Sequence, residues 1–207
     1  MWEDKVKVIK KLNSVIIVLH EIYGINQHIE TVCEKFSEVG YDIICPNLID
    51  RRQPFNYDQQ EEAYQHFINN IGFDLGSQQV KQLIIQAKTQ YSHVFLLGYS
   101  IGATITWMCS DEESMCDGII GYYGSRIRDF KDITPKCPTL LIFSNEEKSF
   151  NVNKSGDFFK KKNVDIHILS GKHGFSDAFS ENYFPKSFEE AGRLVDSFIK
   201  KIILSIN

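Results

Sequence analysis

A serine between two glycines is the residue of this chain best placed to act as a nucleophile. It is the centre of Gly98-Tyr99-Ser100-Ile101-Gly102, after an apolar run typical of a strand (residues 94–97) and before a run typical of a helix (residues 103–109). A serine at such a turn has strained backbone angles, and the flanking glycines relieve the crowding so that its hydroxyl projects from the sheet. The pattern predicts a nucleophile elbow with Ser100 as the nucleophile.

A serine hydroxyl needs a base that accepts its proton, and the base needs an acid that orients it. Five of the six histidines lie within or beside predicted elements, whereas His173 lies in a glycine-flanked loop after the last predicted strand. His173 is therefore the candidate base. For the acid, the loop after the preceding strand offers Glu146 and Glu147, which point in different directions because they are adjacent, while Asp157 and Asp165 are weaker candidates.

The elements that must position these residues alternate between strand and helix patterns. We predict strands at residues 5–10, 15–19, 41–45, 94–97, 118–122, 139–143 and 164–169, and helices at residues 27–39, 61–71, 77–90, 103–109, 155–162 and 187–205. Strands separated by helices imply right-handed crossovers and an α/β fold, a mostly parallel twisted sheet of about seven strands with helices on both faces. The loops after the strands then meet at one edge, where ligands bind in such sheets.

Composition narrows the class of protein. The 207 residues, 43% hydrophobic and 24% charged, predict a single domain over residues 1–207 that is a monomer or a small homo-oligomer. A net charge of -4 without an extended basic run predicts no nucleic-acid partner. The apolar run at residues 15–19 is too short for a signal core or a membrane span, so we expect a cytoplasmic protein without a membrane partner. Five widely spaced cysteines without a C-x-x-C pair predict neither a disulfide framework nor a zinc site, and we expect no metal or cofactor.

Six segments spread over nearly the full length resemble the dienelactone hydrolase family of α/β-hydrolases. They are His-Glu-Ile-Tyr-Gly (20–24), Gly-Tyr-Asp-Ile-Ile-Cys-Pro-Asn-Leu (40–48), Glu-Glu-Ala-Tyr (61–64), Gly-Tyr-Ser-Ile-Gly-Ala (98–103), Gly-Tyr-Tyr-Gly (121–124) and His-Gly-Phe (173–175). The resemblance implies an α/β-hydrolase fold, and a length of only 207 residues leads us to expect no large lid. The resemblance also implies that Ser100 is the nucleophile, His173 the triad histidine and Glu147 the triad acid, with Glu146 as the alternative acid.

The resemblance further implies an oxyanion hole made by the backbone N–H groups of Ile22 and Ile101. Two such preorganised amides stabilise the developing oxyanion by several kcal/mol, about 2.7 to 4 for one donor. The dienelactone-cleaving members have a cysteine nucleophile where this chain has Ser100. The role of their strand-end glutamate, matched here by Glu21, is thereby open between a hydrogen bond to Ser100 and a brace for the loop.

Two further departures concern the substrate. The dienelactone-cleaving members hold a substrate carboxylate with two arginines, at positions occupied here by Gln60 and Asp177. Loss of one arginine weakens a bidentate contact, and an aspartate adds repulsion, so we expect small carboxylated lactones not to be the preferred substrates. Arg51 or Arg52 could supply a replacement cation, or both could be solvated loop charges.

These observations predict a serine hydrolase that cleaves a small-molecule ester or lactone through a Ser-His-Glu triad and an acyl-enzyme. Aromatic candidates for lining or supporting the pocket are Tyr23, Tyr64, Tyr99, Tyr123, Phe150 and Phe175. Two alternatives stay open. One is a thioesterase or peptidase on the same fold, and the other is a non-catalytic α/β module that binds a small ligand.

Overall fold

A six-stranded parallel sheet forms the centre of the computed structural model, which describes residues 13–147, 159 and 164–206. The strands are β1 (Ser14–Leu19), β2 (Asp42–Ile44), β3 (His93–Tyr99), β4 (Gly118–Tyr122), β5 (Thr139–Ser144) and β6 (Asp165–Leu169), in the order β2-β1-β3-β4-β5-β6. Five α-helices are described, α1 (Gln27–Glu38), α2 (Gln60–Asn70), α3 (Gly72–Lys88), α4 (Ile101–Met108) and α5 (Pro185–Ile206). This architecture confirms the predicted α/β-hydrolase fold. The strand predicted at residues 5–10 and most of the helix predicted at residues 155–162 lie outside the described residues.

The continuous apolar runs form strands that are covered on both faces. Every residue of β1, β3, β4 and β5 is buried, as expected of central strands in a parallel sheet. One face packs against α2, α3 and α4 through side chains such as Phe67, Ile84 and Ile105. The other face packs against α1 and α5 through Ile29 and Val195, among others.

The start of α3 differs from the prediction. The sequence predicts a helix over residues 77–90, but the helix begins at Gly72 and runs through Gly76 to Lys88. Gly76 is buried where α3 packs on α4, and a Cβ at that position would lie 2.9 Å from Ile105 Cδ1. The glycine therefore permits close helix packing instead of ending the helix.

The order of the strands determines where a ligand site can form. From β1 the chain moves outward to β2, and it then returns to β3 on the other side of β1 and continues to β6. The connections therefore diverge between the carboxyl ends of β1 and β3, which opens a crevice there. None of the helices within residues 13–147 and 164–206 is both long and apolar enough to cross a bilayer.

Candidate active site

The turn between β3 and α4 has the geometry of a nucleophile elbow. Ser100 has φ 53° and ψ -110°, a left-handed conformation that costs a non-glycine residue about 1–3 kcal/mol. Its backbone N–H donates to the Tyr122 carbonyl of the neighbouring β4 at 2.9 Å. A Cβ on Gly98 would overlap the Gly102 carbonyl, and a Cβ on Gly102 would overlap the Leu19 carbonyl. Both glycines are therefore required for α4 to start so close to the sheet.

The structure brings the three predicted triad residues together from three separate loops. The Ser100 hydroxyl and His173 Nε2 are 2.9 Å apart. On the other side of the imidazole, His173 Nδ1 lies 2.7 Å from Glu147 Oε2. With the Nδ1 proton donated to the carboxylate, Nε2 is an acceptor for the serine proton.

Hydrogen bonds between the loops after β5 and β6 determine which glutamate reaches the histidine. Asn145 N–H donates to the Leu169 carbonyl at 2.8 Å, and its side-chain oxygen accepts from Gly171 N–H at 3.1 Å. Glu146 N–H then donates to the Gly171 carbonyl at 3.2 Å. These bonds fix the path of the loop so that Glu147, with a side chain only 5% exposed, faces the imidazole.

The loop that carries His173 is held from several sides. The imidazole packs on the Tyr123 ring with 4.8 Å between the ring centroids, and the His173 carbonyl accepts from Asn182 Nδ2 at 2.9 Å. Burial lowers the pKa of His173, but the hydrogen bond and charge of Glu147, with the charge of Glu21, outweigh it and raise the pKa overall. The imidazolium that forms when the serine loses its proton is therefore stabilised.

The predicted oxyanion-hole residues, Ile22 and Ile101, both line the cavity beside Ser100. Ile101 is the first residue of α4, so its N–H has no acceptor within the helix. The loop of Ile22 is braced by His20, whose Nδ1 lies 2.6 Å from the Glu21 carbonyl and whose Nε2 accepts from Leu48 N–H at 2.9 Å. Burial lowers the pKa of His20 to about 4, which keeps the imidazole neutral and able to make both bonds.

Glu21 is a buried carboxyl group beside the triad. It is 5% exposed, and Oε1 has no hydrogen-bond partner among the described residues. Burial raises the pKa of Glu21, while His28 and His173 act in the opposite direction. The described hydrogen bonds of the Ser100 hydroxyl go to His173 and do not include Glu21, so the bond considered from sequence does not form.

The site opens into a cavity of about 600 Å³ between the loops after β1, β3, β4, β5 and β6 and helix α2. Of the aromatic candidates, Tyr23 and Tyr64 line this cavity. The other described candidates do not line it, because Tyr99, Tyr123 and Phe175 are buried in the core beneath it. They act as supports, and Phe150 lies outside the described residues.

The two positions that depart from the family's arginines do face the cavity. Gln60 and Asp177 both line it, and Asp177 is 1% exposed. Tyr57, which the sequence analysis missed, donates its hydroxyl to Asp177 Oδ2 at 2.6 Å. Tyr57 lies on a one-turn 3₁₀ helix, Tyr57–Gln59, and no sequence pattern predicted that helix or the contact with Asp177.

Neither arginine considered as a replacement cation lines the cavity. The Arg51 guanidinium packs over the Phe55 ring, 4.0 Å from its centroid, and Arg52 is exposed. Arg126 and Arg128 line the cavity instead, on the 3₁₀ helix Ser125–Asp129 that follows β4. No motif marked this short segment.

Asp165, the other weaker acid candidate within the described residues, does not contact His173. Asp165 lies in β6, with a side chain 62% exposed and Oδ1 3.2 Å from His167 Nε2. Asp157 lies outside the described residues. Across the described part of the chain, no cluster of three or more histidine, cysteine, aspartate or glutamate side chains is arranged to hold a metal ion.

The chain is similar to known proteins over most of its length. Residues 5–203 match the model of the dienelactone hydrolase family. The chain is 34% identical over 165 residues to the uncharacterized protein YczH of Bacillus subtilis, covering 78% of this chain and 80% of the relative. It is 22% identical over 183 residues to carboxymethylenebutenolidase 1 of Cupriavidus pinatubonensis, covering 82% and 78% of the two chains.

A solved structure shows the same fold at low sequence identity. The dienelactone hydrolase-like promiscuous phosphotriesterase P91 from metagenomic libraries superposes with a TM-score of 0.71 at 15% identity, over 90% of this chain and 86% of the other. The match over nearly the whole chain confirms the resemblance deduced from the six segments. The chain therefore belongs to the dienelactone hydrolase family of α/β-hydrolases, enzymes that hydrolyse ester or lactone bonds.

Proposed function

We propose that this chain hydrolyses a small carboxylic ester or lactone with Ser100 as nucleophile, His173 as general base and acid, and Glu147 as the group that orients His173. The observation that carries the proposal is the pair of hydrogen-bond distances on the imidazole, 2.9 Å to the Ser100 hydroxyl and 2.7 Å to Glu147. These distances lie within the range in which a base can accept the proton of a nucleophile.

In the first half of the reaction, the Ser100 oxygen attacks the carbonyl carbon while its proton passes to His173 Nε2. The negative charge that develops on the carbonyl oxygen is stabilised by the N–H groups of Ile22 and Ile101. The tetrahedral intermediate collapses when the bond between the carbonyl carbon and the leaving oxygen breaks. His173 returns its proton to that oxygen, which leaves an acyl group on Ser100.

In the second half, water replaces the alcohol. His173 accepts a proton from the water, the hydroxide oxygen bonds to the acyl carbon, and the same two amides stabilise the second oxyanion. The bond to Ser100 then breaks, and His173 gives the proton back to the serine oxygen. Glu147 keeps the Nδ1 proton in place in both halves, because it remains hydrogen-bonded to that nitrogen.

The charges near α2 limit where the substrate can carry a carboxylate. Gln60 and Asp177 line the cavity at the two positions where the resemblance places arginines, and the buried carboxyl group of Glu21 lines the same cavity. A substrate carboxylate at these positions would meet buried acidic groups and no guanidinium, so we propose that the group bound there is uncharged.

A panel of 4-nitrophenyl esters of short neutral acids tests the function, with wild-type protein compared with Ser100→Ala. We expect hydrolysis by the wild type and a loss of about 10⁶-fold in the variant, which removes the nucleophile. Labelling by a fluorophosphonate provides a second readout, because a module that only binds ligands does not form an adduct at Ser100. Retained hydrolysis in Ser100→Ala would exclude the proposed role.

A further inference from the structure

Two arginines that the proposed mechanism does not use face the cavity. Arg126 and Arg128 lie on the 3₁₀ helix after β4, and their side chains are 38% and 26% exposed. Each guanidinium has five N–H donors in a planar fork that matches a carboxylate. The hydrogen bond that Arg128 Nη1 donates to the Ser125 carbonyl at 2.7 Å helps to fix the orientation of that fork.

One carboxylate contacts both guanidinium groups. Asp129 is shared by both arginines, with Oδ2 2.9 Å from Arg126 Nε and Oδ1 3.7 Å from Arg128 Nε. Lys172 lines the cavity as well, as do the carboxylates Glu146, Glu147 and Glu181, of which Glu147 is hydrogen-bonded to His173. Among the described residues Asp129 is the carboxylate in ion-pair contact with the two guanidinium groups, which leaves N–H donors of both for a ligand.

The guanidinium groups and the buried acids lie on different sides of Ser100. Toward β1 and α2 lie Glu21 and Asp177, the latter held there by its hydrogen bond from Tyr57. Because β4 is on the opposite side of β3 from β1, the segment with Arg126 and Arg128 lies across the nucleophile from these acids. A substrate with a carboxylate would be oriented by this asymmetry, repelled from one wall and attracted to the other.

We propose that Arg126 and Arg128 bind a carboxylate of the substrate, so that the enzyme favours esters with an anionic group on the β4 side of the scissile bond. This inference depends on the proposed hydrolase function. It refines the expectation from sequence, because it confines the rejection of carboxylates to the wall near α2. One charge-assisted hydrogen bond to a partly exposed arginine corresponds to about a tenfold preference.

Two pairs of esters test the proposal, because the carboxylate can be on either part of the substrate. One pair is the butyrate esters of 4-hydroxybenzoate and 4-hydroxybenzamide, and the other is 4-nitrophenyl adipate with a free terminal carboxylate or a terminal amide. The measured quantity is the ratio of kcat/KM for the anionic ester to that for the neutral ester. The variants are Arg126→Gln, Arg128→Gln and Asp129→Asn, with Arg52→Gln as a control that removes the same charge from a loop that does not line the cavity.

We expect the wild type to favour the anion in at least one pair, and the preference to fall about five- to tenfold in Arg126→Gln and Arg128→Gln. Asp129→Asn should raise the preference because it frees both guanidinium groups, and added salt should lower it. Arg52→Gln should leave the ratio unchanged. A ratio that none of the three cavity variants alters would overturn the inference, whereas loss of Ser100 dependence on the neutral esters would overturn the proposed function itself.

Discussion

Replacement of the acid that faces His173 should slow acyl transfer far more than replacement of its sequence neighbour. Glu147→Gln keeps the shape of the side chain, but the new amide group can donate to Nδ1, which then favours the tautomer with its proton on Nε2. That tautomer cannot accept the serine proton, and in a triad of this type the corresponding exchange lowers kcat about 10⁴-fold. The adjacent Glu146→Gln should alter kcat about twofold or less, because its described contact with the loop is made by its backbone.

The assay is kcat for 4-nitrophenyl butyrate as a function of pH. Activity requires neutral His173, so the rate rises as pH increases through its pKa. Burial lowers that pKa and Glu147 raises it, so the residual activity of Glu147→Gln should rise at a lower pH than that of the wild type. Equal losses in the two glutamine variants, or an unshifted profile in Glu147→Gln, would refute the assignment of Glu147.

Three further predictions concern stability and the thiols. Burial raises the pKa of Glu21, so the folded protein binds this proton more tightly than the unfolded chain and loses stability as pH rises from about 4.5 towards the folded pKa. Glu21→Gln should therefore raise Tm at pH 7, and the gain should vanish in acid. Gly102→Ala should lower the free energy of unfolding by about 3 kcal/mol in urea titrations, because its Cβ would overlap a carbonyl of β1. The control Gly192→Ala, inside α5, should raise the free energy of unfolding by about 0.5–1 kcal/mol, and similar effects from both variants would contradict the packing argument. The Sγ atoms of Cys116 and Cys137 are 3.6 Å apart, so diamide should join these two thiols in an internal disulfide that peptide mapping detects. A Cys116 that pairs with another cysteine, or that stays reduced while the protein is fully oxidised elsewhere, would contradict this.

The parts of the structure that local patterns specify were predictable from sequence. The apolar runs predicted all six described strands to within two residues at either end. The glycines around Ser100 identified the elbow because the close approach of α4 leaves no room for side chains there. His173 could be selected because its loop follows the last strand, and the carboxyl ends of parallel strands meet at one edge.

The parts that depend on contacts between distant segments were not predictable from local patterns. The hydrogen bonds of Asn145 to the loop after β6 make the choice between Glu146 and Glu147, and before the structure only the family resemblance favoured Glu147. Glycine often ends a helix, but Gly76 lies inside α3, where its contact with Ile105 of α4 leaves little room for a side chain. Arg126 lies in a short 3₁₀ helix that follows β4. Its position on the cavity wall could be recognised only from the folded structure, because no sequence pattern indicates the direction of that helix.

The most direct test of the central claim is to identify the residue that becomes acylated during turnover. Wild-type protein is mixed with 4-nitrophenyl butyrate, quenched in acid within the first turnovers, digested and analysed by mass spectrometry, with His173→Ala treated in parallel. We predict a butyryl group on Ser100 in the wild type, and acylation slowed by several orders of magnitude in the histidine variant. Butyrylation at another residue, or equally fast acylation of Ser100 without the imidazole, would contradict the account.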